Sequence, residues 1–277
     1  EQTQLGLNYR MTDIHATLGN SQLKKAKKFI EYRHSLYDEY KVKISHLELH
    51  LPNKPNSEDF FSSAHLYPVR LKLNNINKST YIVDHTTSTS DFAIYASKKF
   101  TKKKSFFFDA PVSGGEIGAK KGLLSVMIGG YKKHLKVILP LIENYSKKVT
   151  YMGEAGNGQL AKMVNQICIA GVVQGLSEAI NFGLNAKLKM EDVIDTISKG
   201  AAQSWQMENR AVTMLNDKFN FGFAVDLMIK DLKIALLEAK SLDLNLKVTK
   251  DVLNRYKKLS DDGYGNYDTS SLIKLLK

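Results

Sequence analysis

Lys162, Asn165 and Gln166 are spaced i, i+3 and i+4, so on a helix they set an ammonium and two carboxamides on one face. Such a face can bind a hydroxyl and protonate a carbonyl oxygen as hydride reaches its carbon. That is general acid catalysis, and it works best if partial burial lowers the lysine towards neutrality. The ordinary reading of any lysine in a chain with 40 basic residues is a solvated surface group. This one instead sits in an apolar helical run with Ile167, Ile169, Val172 and Val173, entered through Gly156 and Gly158.

Two further sites carry polar groups in unusual settings. Ser113, Gly114 and Gly115 follow the strand-like SFFFDAPV, at a strand end where open α/β sheets place ligands. Bare backbone N–H groups and the Ser113 hydroxyl could hold a carboxylate there, although Gly-Gly is also ordinary turn punctuation. Lys230 lies in the amphipathic LMIKDLKIALLEA, where a charge is costly unless paired; an exposed pair with Asp231 is the plain explanation.

The elements that position these groups fall into three segments. Residues 1–78 read as α+β: a helix begins at Thr12 or Asp13, and a second, charged helix covers 27–40. An extended run follows at 65–73, then an Asn-rich linker at 73–78. Residues 79–155 alternate YIVDHTT, a helix over 90–99, SFFFDAPV, SVMIGG, a helix near 132–142 and KKVTYMG. That pattern predicts a partial Rossmann-type α/β sheet, parallel or mixed. Residues 156–277 read as an all-α domain, opening with a helix over 159–184.

Composition is that of a soluble globular chain, with 43% hydrophobic and 25% charged residues. The net charge of +12 invites nucleic acid, but only Arg10, Arg33, Arg70, Arg210 and Arg255 could supply guanidinium forks, and the lysine runs are scattered. No nucleic-acid partner is expected. The longest apolar stretch, 166–176, falls short of the ~20 residues a spanning helix needs, so no membrane is expected either. The single Cys168 suits a reducing cytoplasm and reads as a buried, inert thiol. His46 and His50 lack a third ligand, so no metal is expected. Trp205 reads as a core or cleft-wall residue.

Three strings occur in a telling order: DAPVSGGEIGAKKG at 109–122, GNGQLAKMVNQ at 156–166 and KDLKIA at 230–235. Together they resemble the β-hydroxyacid dehydrogenases, relatives of 3-hydroxyisobutyrate dehydrogenase and tartronate semialdehyde reductase, from about Thr80 onwards. The resemblance implies NAD or NADP as cofactor and a small 3-hydroxy acid as substrate. It implies Lys162 as the catalytic lysine, the Ser113-Gly114-Gly115 loop and Asn165 on the substrate, and Thr87 and Lys230 near the nicotinamide. The family often has Asn where this chain has Gln166, which is carried over as substrate-binding. It also implies a homo-oligomer assembled through the helical domain. No G-x-G-x-x-G lies between a strand and a helix, so the family's dinucleotide fingerprint has no counterpart.

The first segment has its own resemblance. LGLNYRMTDIHATLGNSQLKKAKKFIEYR and HLYPVRL are similar to pieces of the DegT-type pyridoxal-phosphate sugar-nucleotide aminotransferases. Asn8 would reach a cofactor phosphate in that family, but the Schiff-base lysine would lie upstream of Glu1. The expectation is a truncated or chimaeric reading frame joined near 77–80. The competing readings are a non-catalytic, self-associating remnant and an aminotransferase fragment.

Overall fold

This computed structural model describes residues 13–45, the backbone of four two-residue strands at 49–50, 56–57, 60–61 and 70–71, and residues 80–276. The chain forms two compact units, Glu1–Ile76 and Asn77–Lys277. The expected linker at 73–78 and most of the extended run at 65–73 lie outside the described residues, as does Asn8.

In the first unit, α1 (Asp13–Ile44) is a single helix of 32 residues. Two helices were expected. The intervening LKKAK at 23–27 contains only good helix formers and no proline, so nothing interrupts the turn-by-turn bonding. Antiparallel pairs join β1 (Leu49–His50) to β4 (Arg70–Leu71) and β2 (Asn56–Ser57) to β3 (Phe60–Phe61).

The second unit opens on a mixed Rossmann-like sheet. β5 (Tyr81–Asp84) runs parallel to β6 (Phe106–Asp109), connected by α2 (Ser90–Lys102). β8 (Leu124–Gly130) pairs antiparallel with the end of β6 and with β7 (Val112–Ser113), and parallel with β9 (Ser146–Gly153). The short α3 (Gly115–Lys120) joins β7 to β8, and α4 (Leu135–Ile142) precedes β9. Strand alternation explains how both faces are covered. Phe107 joins Ala93 and Ala96 of α2 on one side, while Phe108 packs with Ile138 and Ile142 of α4 on the other.

The helical portion runs α5 (Asn157–Asn185), α6 (Met190–Ile197), α7 (Trp205–Leu215), α8 (Val225–Ser241) and α9 (Lys247–Leu259), with a 3-10 segment at Thr269–Leu275. α5 is the shared wall. Ala170 and Val173 pack on Met228, Leu232 and Tyr256 of α8 and α9; Leu176 and Ile180 pack on Met190, Met207 and Met214 of α6 and α7.

Three expectations need correction here. α5 has 29 residues and an 18-residue window of mean hydropathy 1.4, enough by length and composition to cross a bilayer. Its inward stripe of Gln159, Lys162, Gln166 and Gln174 packs into this unit, and 39% of that window is buried. Cys168 is exposed, not buried, because it lies ~200° around the helix from the inward Gln166. Trp205 is 52% exposed at the start of α7, with the Arg210 guanidinium 4.9 Å over its ring.

Candidate active site

The site forms where the first turns of α5 meet the ends of β5 and β6. Asp109 closes β6 with no exposure at all, and its carboxylate accepts hydrogen bonds from the Gly156 N–H (2.9 Å) and the Gln159 N–H (3.0 Å). These are amides that a helix start leaves unpaired within the helix, and a carboxylate there also meets the favourable end of the helix dipole. Burial pushes the Asp109 carboxyl above its ordinary range, and the amide bonds work against that push.

So close a cap needs glycine opposite it. A Cβ on Gly158 would sit 2.6 Å from the carbonyl oxygens of both Asp109 and Met127. Since both are backbone atoms, Gly158→Ala should destabilise the fold by about 2–3 kcal/mol, as overpacked cores do. Urea unfolding checks this; a variant as stable as the parent would show that the cap is looser than described.

One turn on, Lys162 is 7% exposed. Burial is the main reason its ammonium lies below the ordinary lysine range; Asp231 opposes the shift and Lys230 adds to it. Among the described residues, Lys162 makes no hydrogen bond or ion pair. Asn165, on the same face, has its Oδ1 3.4 Å from the Ser113 hydroxyl, which donates. The structure therefore brings the Ser113 loop beside the Lys162 helix face. Gly114 has φ +132°, a conformation that side chains resist, so the turn after β7 requires glycine.

Gln166 faces inward at 1% exposure. Its Oε1 accepts from Asn165 Nδ2 at 2.7 Å, and its Nε2 donates to Asp231 Oδ2 at 2.7 Å. Asp231 is itself 1% exposed and ion-paired at 2.9 Å to Lys230, whose side chain is 45% exposed, so the pair runs from the interior to the surface. Lys230 Nζ also donates to the Thr87 carbonyl at 2.8 Å, which brings the third motif to the turn after β5. A chain of polar contacts thus runs Ser113, Asn165, Gln166, Asp231, Lys230, Thr87.

Sequence reasoning gave no role to Asp109 or Gln159 and offered an exposed pair of Lys230 with Asp231 as the plain explanation, whereas Asp231 is buried. A signal existed for Asp231: it falls among the inward positions Met228, Leu232 and Ala235. No group of three His, Cys, Asp or Glu able to hold a metal occurs among the described residues; His46 lies outside them.

The nicotinamide end of a dinucleotide fits this geometry. The Ser88 hydroxyl is buried without a hydrogen-bond partner on the β5 turn, beside Thr87 and Lys230, and can serve a polar ring substituent.

Residues 156–276 match the family described as NAD-binding of NADP-dependent 3-hydroxyisobutyrate dehydrogenase. Residues 6–153 match the NAD binding domain of 6-phosphogluconate dehydrogenase, a span that takes in the segment likened above to an aminotransferase. An oxidoreductase of Shewanella frigidimarina is 46% identical over 205 residues, 74% of this chain and 70% of that protein. The 2-hydroxy-3-oxopropionate reductase of Escherichia coli is 37% identical over 171 residues, 62% of this chain and 59% of that protein. The structure of Mycobacterium tuberculosis 3-hydroxyisobutyrate dehydrogenase with L-serine superposes with a TM-score of 0.67 at 26% identity, covering 73% of this chain and 71% of that one.

Proposed function

Because the chain belongs to the 3-hydroxyisobutyrate dehydrogenase-like family of NAD-binding hydroxyacid dehydrogenases, we propose that it interconverts a small 3-hydroxy acid and its oxo acid with NAD or NADP. The observation that carries the reading is a buried lysine, unpaired among the described residues, beside a glycine-lined loop. L-serine, seen with the mycobacterial relative, is itself a 3-hydroxy acid.

When bound, the nicotinamide supplies or accepts the hydride. Every other task falls to groups of this chain. The N–H groups of the Ser113-Gly114-Gly115 turn and the Ser113 hydroxyl hold the substrate carboxylate. In reduction Lys162 gives its proton to the carbonyl oxygen; in oxidation the neutral amine takes the proton of the hydroxyl. Asn165 orients that oxygen, and Gln166 acts through Asn165 and Asp231. Thr87 and Lys230 lie towards the nicotinamide. The test is a panel of small 3-hydroxy acids with NAD+ and NADP+, followed by absorbance of the reduced nicotinamide. Turnover of at least one acid is expected, and none with any acid refutes the reading.

A second property rests on a different feature. Val164, Cys168, Val172, Gly175, Ala179 and Phe182 form one exposed stripe along α5, with Phe182 72% exposed. Exposed apolar stripes of this kind mark protein interfaces, and the occupant we assign is a second copy of the chain. Light scattering should report a dimer or larger assembly, and Val172→Glu should dissociate it. A wild-type monomer would contradict this assignment.

A further inference from the structure

The turn after β5 keeps a bond to its own strand, from the Thr86 N–H to Asp84 Oδ1 (2.9 Å), but side chains from the helical portion hold it at several further points. Gln159, 1% exposed on α5, grips it at two points: its Nε2 donates to the Thr86 carbonyl at 2.8 Å, and its Oε1 accepts from the Ser88 N–H at 3.0 Å. Glu238, near the end of α8, accepts from both the N–H (2.9 Å) and the hydroxyl (2.8 Å) of Ser90. Lys230 takes the Thr87 carbonyl between them. Backbone groups at 86, 87, 88 and 90 are therefore bonded to α5 or α8, a different arrangement from a turn that only answers to its own sheet.

The tether and the acid share a helix face. Gln159 is three residues before Lys162, and its own N–H is fixed by Asp109. Any displacement of the 86–90 turn relative to the ammonium must therefore break a buried bond to Gln159 or the paired bonds to Glu238. We propose that Gln159 and Glu238 are positioning residues that tether the 86–90 turn to the helices bearing Lys162 and Lys230, and so fix where a nicotinamide ring lies relative to the Lys162 ammonium. The role in cofactor placement rests on the dehydrogenase reading; the tether itself does not.

The variants are Gln159→Leu, which removes both grips, and Glu238→Ala, which removes the second anchor at a less buried site. Two readouts separate the claims. Amide hydrogen exchange at Ser88 and Ser90, in protein free of nucleotide, should speed up about tenfold or more in the corresponding variant. In steady-state oxidation, KM for the nicotinamide nucleotide should rise about tenfold while KM for the hydroxy acid stays within about twofold. Glu238→Gln, which keeps an acceptor, should restore most of the loss. Unchanged exchange in both variants of an active enzyme overturns the tether alone. An equal rise in both KM values, which is what general loosening would produce, overturns the role in cofactor placement. Faster exchange in a protein whose wild type transfers no hydride supports the tether and refutes the dehydrogenase.

Discussion

Replacing Lys162 by Met lowers kcat for carbonyl reduction by about a thousandfold, ~4 kcal/mol of transition-state stabilisation, while KM for the acid changes little. The reasoning starts from burial. An ammonium at 7% exposure is kept in a costly place, and among the described residues it has no hydrogen bond or ion pair to offset that cost. Methionine is close in length, so the apolar contacts of the stem survive, but no proton can be given to the oxygen. The same substitution removes a desolvation penalty, so the variant should melt no lower than the wild type. That control matters. A large fall in melting temperature would mean the lysine is structural and the lost rate a by-product.

Asp231→Asn is the second substitution with a large expected effect, and it appears in the pH profile. Reduction needs the Lys162 ammonium, so its rate falls as pH rises through the lysine's value in the folded protein. Burial already brings that value below the ordinary lysine range, and Asp231 partly restores it by favouring the charged form. Removing the carboxylate charge therefore moves the alkaline fall of reduction to lower pH. Oxidation needs the neutral amine, so its acid limb should move the same way, giving the variant more of its oxidative rate at low pH. Asparagine still offers an oxygen to Gln166, which limits structural damage. Limbs that stay in place, or that move in opposite directions, would show that Asp231 does not act on Lys162.

Much of this arrangement was legible in the sequence because it is local. A 3.6-residue period was enough to place Lys162, Asn165 and Gln166 on one face of a helix that does run through them. The strand-like aromatic run in SFFFDAPV was enough for a sheet strand. What escaped depends on contacts between distant residues. Asp109 finds its amides 47 and 50 residues away, and Gln159 finds the β5 turn 71 and 73 residues away. No period or spacing encodes those meetings. Cys168 was misplaced for another reason: α5 is apolar on most sides, so the pattern does not say which stripe faces in. The structure answers that through its polar residues, since Gln159, Lys162, Gln166 and Gln174 all lie on the buried side.

The central claim is that one buried lysine is the proton donor. Carbon-13 labelling of the lysines, with the Lys162 signal assigned by its loss in Lys162→Met, allows its titration to be followed by NMR against the other lysines. The account predicts a midpoint clearly below theirs, coincident with the alkaline fall in reductase rate. A Lys162 signal that titrates together with the surface lysines, while reduction falls at some other pH, would contradict it.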